Sequence, residues 1–270
     1  MLTLVEAISL AGDRKKQKDD AHGAKTPFAG VIDGATDLHG EPESRFASDA
    51  AWLATKLNQR FYESLYHPSG LLEEDLRRVV SIASEFAQKD WDYNRQAEPP
   101  RWKLPTASML LVSDANREAL QGLDLGDCRC FALDADGTAF AIGGPQNAAD
   151  EELRAAAQAG KNADPAALLR DANTLDRLRA KRAQHNTDEP GGYWVFGLQP
   201  ECAARARYWR LPLQRPAHIL LCTDGLSALV DRYHAYDAAG IVRATLDEGL
   251  QELGRELRAI EAADSGGAKH

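Results

Sequence analysis

"FAGVIDGATDLHG", residues 28–40, decides how this chain is read. Phe28-Ala29-Gly30-Val31-Ile32 is an apolar run of strand length, and it stops on Asp33-Gly34. An apolar strand that ends on Asp-Gly has two readings. Asp-Gly is a common turn dipeptide, because Asp hydrogen-bonds its own loop backbone and Gly tolerates positive φ. Alternatively, the strand end holds a carboxylate rigidly where water still reaches it, which suits a hard cation.

Upstream, "LTLVEAISL" (2–10) alternates and reads as a first strand, joined to residues 27–32 by a polar loop. Downstream, residues 47–66 read as a helix, with Leu53, Leu57, Phe61 and Leu65 at i+4 spacing. Residues 71–89 repeat the pattern, with Leu72, Leu76, Val79, Val80, Ala83 and Phe86 on one stripe. "EPPRW" (98–102) breaks the chain. Four strand-like runs follow, 107–112, 119–125, 129–133 and 138–142, with "DADG" as a hairpin turn between the last two. They read as an antiparallel meander. Residues 148–185 are rich in Ala, Arg and Asp and read as helices, with Pro165 where a new one can begin. Within them "RDANTLDRLRAKRAQH" (170–185) reads as a solvated amphipathic helix, with a docking surface as the alternative. Residues 187–198, 208–213 and 217–222 read as strands. Residues 239–262 read as one last helix, with Val242, Leu246, Leu250, Leu253, Leu257 and Ile260 on one face. Strands and helices come in blocks rather than in strict alternation, so the expected class is α+β, with antiparallel sheets flanked by helices.

The 270 residues read as a single domain, 1–270, with 148–206 as a helical insert. Forty-one acidic residues against 32 Lys and Arg give a net charge of −9, so there is no basic footprint for nucleic acid. No run approaches the roughly 20 apolar residues of a membrane span, and the N-terminus lacks a signal-peptide pattern. A soluble, cytoplasmic protein is expected. Cys128, Cys130, Cys202 and Cys222 contain no CxxC pair and read as reduced packing thiols. Cys128 and Cys130, two apart, are expected on one strand face.

The Asp33 pattern recurs. Asp127 stands in "LDLGDCR" and Asp224 in "ILLCTDG", each where an apolar strand meets an Asp beside a Gly. Asp19 and Asp20 stand in "KQKDDAHG", just ahead of the Asp33 strand. Mg²⁺ and Mn²⁺ take carboxylate, carbonyl and water oxygens. Two such ions about 3.5–4 Å apart can share and activate a water. The alternative for each site taken alone is an ordinary turn.

In this order and wording the segments resemble the metal-dependent protein phosphatases of type 2C (PPM). "KDDAHG" is similar to that family's "MEDAH" or "NEDA", "FAGVIDG" to "FAVxDG", "LDLGDCR" to "ANVGDSR" and "ILLCTDG" to "LLLCSDG". "GGYWVFG" (191–197) is similar to a bacterial branch. The resemblance spans about residues 4–235. It implies an αββα sandwich of two antiparallel sheets between helices. It implies two Mn²⁺ or Mg²⁺ ions, with a weaker third. Asp33 would bridge the two ions and the Gly34 carbonyl would bind one. Asp19 would reach the second ion through water, with Asp20 beside it. Asp224 would bind the first ion, and Asp127 a weaker third or a place just outside the ions. Asp33 and Asp20 are thereby also the expected catalytic residues. The implied reaction is hydrolysis of phosphoserine or phosphothreonine on a protein partner by a metal-bound hydroxide, without a phosphoenzyme. Neither nucleic acid nor membrane is an expected partner, and the sequence does not fix an oligomeric state.

The chain also departs from the pattern. The family's final strand carries an Asp that completes the first metal site, and "EAADSGGAKH" has no such segment; Asp264 does not match its context. That departure motivates the alternative of a pseudophosphatase, a binding or regulatory protein with the same fold. Ala35 stands where some members have a His. His39, nearby, reads as a surface-loop residue, with a general acid as the alternative. Arg14, Lys15, Lys16 and Lys18 read equally as a solvated loop or as phosphate-binding charge. "DGLSALV" offers Ser227 and Ala228 where the family has an acid. A metal-dependent phosphodiesterase or nuclease would use similar carboxylates, but the chain's acidity argues against it.

Overall fold

A computed structural model describes residues 1–10, 18–64, 73–93, 98–144 and 171–264. Among them eight strands form two sheets in which every pairing is antiparallel. The strands are β1 (Ala21–Lys25), β2 (Phe28–Gly34), β3 (Ala107–Ser113), β4 (Leu120–Leu125), β5 (Arg129–Leu133), β6 (Ala139–Gly143), β7 (Arg207–Leu211) and β8 (His218–Cys222). One sheet has the order β1-β2-β3-β4-β7 and the other β6-β5-β8. The helices are α1 (Asp49–Ser64), α2 (Glu73–Asp92), α3 (Ala172–Ala183), α4 (Cys202–Arg205), α5 (Asp224–Asp231), α6 (Ala238–Glu248) and α7 (Leu250–Ala263).

Three buried clusters show how the layers stack. Phe28, Ile32, Met109 and Leu123 of the larger sheet pack with Leu53, Leu57, Leu76 and Val80 of α1 and α2. Phe131 and Leu220 of the smaller sheet pack with Leu229, Ile241 and Leu253 of α5 to α7. Between the sheets lie Val31, Leu110, Val112, Cys130 and Leu211. The order is helix, sheet, sheet, helix, the expected α+β sandwich. β2 explains the unbroken apolar run at Phe28–Ile32, because a strand buried on both faces has no polar side to show. Its alternation sends Ile32 to the helices and Val31 between the sheets, so Asp33 shares the inter-sheet face. All four cysteines are free and buried, and Cys128 and Cys130 share the inter-sheet cluster as expected.

Several expectations are corrected. Residues 2–10 form no strand. They pair with no sheet edge, and side chains take up their polar groups instead. Thr26 Oγ1 donates to the Leu2 carbonyl at 2.7 Å, and Lys18 Nζ to the Ser9 carbonyl at 2.6 Å. The first strand is Ala21–Lys25, from the stretch read as polar loop, where pairing with β2 outweighs weak strand propensity. The four-strand meander is instead two hairpins in different sheets, with the chain crossing between them at Gly126–Cys128. Residues 187–198 are tied by isolated bridges at Tyr193 and Phe196. Asn186 replaces a ladder there, its Oδ1 accepting from Val195 N–H and its Nδ2 donating to Gln199, both at 2.9 Å. The last helix is two helices broken at Gly249, where φ is 86°. The Glu6 carboxylate caps the second by accepting the Leu250 N–H at 2.9 Å. Phe86 is 44% exposed under the Arg60 guanidinium, while Ala87 and Trp91 continue the buried face of α2. Leu246 is likewise exposed.

Of the insert, α3 is described; Pro165 and residues 145–170 lie outside the described residues, as do Arg14, Lys15, Lys16, Leu65 and Leu72. α3 buries no side chain, but it is not simply solvated. Arg179 donates twice to the Leu38 carbonyl, at 3.0 and 3.1 Å, and Arg182 to that of Thr36 at 3.3 Å. Its arginines fasten it to the loop that follows Asp33. Among the described residues no helix is long and apolar enough to cross a membrane.

Candidate metal centre

A cavity of about 1020 Å³ opens between the two sheets. Asp19, Asp20, Asp33, Gly34 and Asp224 line it together. Residues far apart in sequence reach this wall from different elements. Asp33 stands near the end of β2, Asp19 and Asp20 just ahead of β1, and Asp224 at the first position of α5. Asp127 does not line the cavity, but its charge acts on Asp33.

The three Asp-Gly sites turn out to be three different structures. Asp33-Gly34 lies within a strand and is not a turn. Gly34 has no unusual φ; it is required because a Cβ there would stand 2.4 Å from the Asp19 carbonyl oxygen. That close approach brings the Asp19-Asp20 segment onto the end of β2. Gly126-Asp127 is the crossing between sheets, with Gly126 at φ 91°. Asp224-Gly225 opens a helix, where a negative charge is favoured by the helix dipole.

The electrostatics are unusual for a folded protein. Burial and the charges of Asp224, Asp20 and Asp127 push the Asp33 carboxyl up to about 10. Asp20 is raised by burial and by Asp224 and Asp19, although hydrogen bonds to Asp33 and to the Gly34 N–H partly offset this. As a residue Asp20 is exposed, yet its carboxyl turns inward to those partners. Burial, then the charges of Asp33 and Asp127, raise the Cys128 thiol. Like charges held this close favour protonation unless a cation joins them.

Other residues hold the acids in place and escaped the sequence reading. The Ser48 hydroxyl donates to Asp19 Oδ1 and accepts the Ala51 N–H at 3.0 Å, so one side chain caps α1 and orients Asp19. Its signal was a Ser just ahead of an apolar-periodic helix. Asp124 is 2% exposed and bound by Arg207, which also donates to the carbonyls of Gly126 and Gly144, both at 2.9 Å. This knot fixes the crossing that carries Asp127. Tyr193 lies close enough that Asp127, after burial, raises its phenol. His39 is not a surface-loop residue: its side chain is 7% exposed and pairs with Asp49, and it does not line the cavity.

A profile of the family described as "Protein phosphatase 2C" matches residues 13–258. The chain belongs to the protein phosphatase 2C family. None of the curated proteins compared with this chain matches it. Solved structures of similar fold include several bacterial serine/threonine phosphatases. The serine/threonine phosphatase PstP/Ppp of Mycobacterium tuberculosis is 15% identical, with 93% of this chain and 88% of that one covered and a TM-score of 0.54. The S. agalactiae serine/threonine phosphatase is 11% identical, covering 94% and 91%, with a TM-score of 0.53. The catalytic domain of PstP in complex with two manganese ions is 16% identical, covering 93% and 87%, with a TM-score of 0.50. At such identities these likenesses show the type 2C fold, which is the layered sandwich found here.

Proposed function

We propose that this type 2C family member is a Mn²⁺- or Mg²⁺-dependent phosphatase acting on phosphoserine and phosphothreonine in proteins. The observation that supports it most is the convergence of Asp19, Asp20, Asp33 and Asp224 on one open cavity wall, where the charges acting most strongly on Asp33 are all carboxylates. The donor set is all hard oxygen, which fits Mg²⁺ or Mn²⁺. A neighbour of this fold binds two manganese ions. Asp33 would bridge two ions. Asp224 would serve the first, along with the Gly34 carbonyl, and Asp20 and Asp19 the second. Asp127 would serve a weaker third. When bound, such ions act as Lewis acids on the phosphoryl group and lower the pKa of water.

The chain's own residues do the positioning. The Gly34 N–H holds the Asp20 carboxylate, and Ser48 holds Asp19, so the acids face the cavity without rearrangement. Preorganised charge of this kind is the main source of catalysis in phosphoryl transfer. The phosphatase domain would span residues 1–270, with 148–206 as an insert whose α3 is fastened to the loop after Asp33, in a cytoplasmic protein.

Hydrolysis of p-nitrophenyl phosphate and of a phosphothreonine peptide, with manganese and with chelator, tests this reading. Metal-dependent turnover is expected, falling roughly 10³-fold in Asp33→Asn, since bound metal supplies several kcal/mol at about 1.4 kcal/mol per factor of ten. No turnover in a folded protein that binds at most one ion would favour a regulatory, non-catalytic member instead.

A further inference from the structure

The loop between β2 and α1 carries a second group of ligand-type side chains, distinct from the carboxylates of the cavity. Asp37, His39 and Asp49 each bring one donor atom to a point where all three lie within 4.8 Å of one another. Asp49 is fully buried and Asp37 half-buried. The His39 side chain is 93% removed from solvent, being 7% exposed. None of the three lines the cavity.

The two nitrogens of His39 have different surroundings. Nδ1 is 2.8 Å from the Glu41 carbonyl. A carbonyl only accepts, so Nδ1 carries a proton. Nε2 lies 3.4 Å from Asp49 Oδ2, a spacing that serves an ion pair when Nε2 carries a proton and a shared metal when it does not. A charge-assisted N–H···O bond is shorter, at about 2.7–2.9 Å. Two ligands of one tetrahedral zinc, each at about 2.0–2.1 Å, lie roughly 3.4 Å apart. A ring N–H given to a backbone carbonyl, with the other nitrogen turned to carboxylates, is the arrangement that orients metal-bound histidines.

The carboxylates are aimed as well. Asp49 Oδ1 accepts the Ser44 N–H at 2.7 Å and its Oδ2 the Glu43 N–H at 2.9 Å. Asp37 Oδ2 accepts the Asp49 N–H at 2.8 Å. Asp37 also accepts the Ala50 N–H, and a carboxylate has about four lone-pair sites, so both acids can still meet a cation. These bonds fix direction without supplying a full positive charge. Arg182 of α3 acts on Asp37 from one side. Asp49 faces both the imidazole and the Asp37 carboxylate, whose pKa it raises.

We propose that Asp37, His39 and Asp49 form a zinc site, one imidazole and two carboxylates, with a water completing the tetrahedron. An imidazole donor suits zinc and is foreign to magnesium. The bound ion ties residues 37 and 39 to the start of α1, beside Ser48, and so braces the hydroxyl that holds Asp19. The site does not depend on the phosphatase reading.

The test uses the full chain carrying Asp33→Asn and Asp224→Asn, which removes two of the four clustered cavity carboxylates, Asp19, Asp20, Asp33 and Asp224, and it requires no activity. Equilibrium dialysis against zinc chloride, with the metal counted by atomic absorption, is expected to give one zinc per chain. Cobalt(II) in its place is expected to show the intense visible bands of a tetrahedral site. In His39→Gln, with folding checked by circular dichroism, the zinc Kd is expected to rise at least about tenfold; Asp37→Asn serves the same purpose if that variant does not fold. No zinc in the parent overturns the proposal. So does zinc binding unchanged in both variants, or a doubly protonated His39 ring by ¹⁵N NMR in the presence of zinc.

Discussion

Asp33 and Asp124 sit two strands apart in the same sheet and keep opposite company. Asp124 has Arg207 Nε at 2.5 Å and Trp209 Nε1 at 3.1 Å. Burial raises its carboxyl, and Arg207 pulls it back. Asp33 is raised by burial and then raised further by Asp224, Asp20 and Asp127. One acid is neutralised by the chain itself; the other has no cation among its strongest neighbours and is held in its protonated form. An acid beside a base fastens structure; an acid beside acids costs stability until a ligand arrives, which is the mark of a binding site.

The comparison breaks most visibly if its compensated half is opened. Arg207→Met leaves Asp124 buried opposite an uncharged neighbour and also releases the Gly126 and Gly144 carbonyls. A loss of about 3 kcal/mol is expected in urea unfolding, near the low end for a broken buried pair because Arg207 is a third exposed. Adding Asp124→Asn should restore part of it. A double variant no better than the single one would mean that Arg207 matters for its carbonyl bonds alone.

The other half behaves in the opposite sense. The folded-state pKa of Asp33 lies above its unfolded value, so the folded chain keeps a proton that the unfolded chain sheds. Stability is therefore greatest at low pH and is lost as pH rises from about 4 towards about 10. At pH 8 with chelator, Asp33→Asn is expected to stabilise the protein by about 2 kcal/mol, since residue 33 then no longer has to take up a proton on folding. With saturating manganese the order should reverse. An Asp33→Asn protein that is less stable in chelator would show that the acids are compensated by something other than a cation.

How much of this was legible beforehand depends on range. β2 was legible because burial on both faces leaves an uninterrupted apolar run. Leu53, Leu57, Leu76 and Val80 were legible because helical spacing is local. The acids Asp19, Asp20, Asp33, Asp127 and Asp224 were picked out by a four-part resemblance, and the fold brings four of them to one wall. Residues 2–10 misled because alternation describes a strand's faces but not whether an edge is free to receive it. β1 was missed because "AHGAK" carries no alternation, and its pairing with β2 is decided by its partner. Asp124 finds Arg207 83 positions later, and Asp19 finds Ser48 29 positions later. Such pairings exist only once the sheets have closed.

A sharper contrast lies within the Asp-Gly pairs themselves. At Gly34 an added Cβ would meet the Asp19 carbonyl at 2.4 Å and the Ala50 backbone at 3.1 Å. At Gly225 only Thr223 Oγ1 lies within reach, at 4.0 Å, and the backbone is helical. Gly34→Ala is expected to cost roughly 1–2 kcal/mol, because the clash is with backbone, and to weaken manganese binding by displacing Asp19. Gly225→Ala should change stability by less than about 0.5 kcal/mol, with the gain in helix propensity in its favour. Equal effects at the two positions would mean that the dipeptide acts as a turn at both, against the strand and helix seen here.

A modest, pH-dependent effect concerns the segment that faces Asp127. His185 packs edge-on to Tyr193, with ring centroids 5.8 Å apart, and burial together with Arg182 and Lys181 lowers its pKa to about 4. Its unfolded value is about 6.5, so between those limits the unfolded chain binds a proton that the folded chain refuses. Its contribution is complete above pH 6.5 and is lost as pH falls towards 4, the reverse of the Asp33 slope. The two can therefore be separated by difference. Urea midpoints across pH 4–7, in chelator, should show the wild type losing roughly 1 kcal/mol more on acidification than His185→Gln. Because acid drives water and a proton towards the His185–Tyr193 contact, Tyr193 fluorescence, read in a background with the competing tryptophans replaced, should shift in the same window. Parallel pH curves for the two proteins would mean that His185 is open to solvent in the folded state, and that Tyr193 is held beside Asp127 by the Asn186 bonds alone.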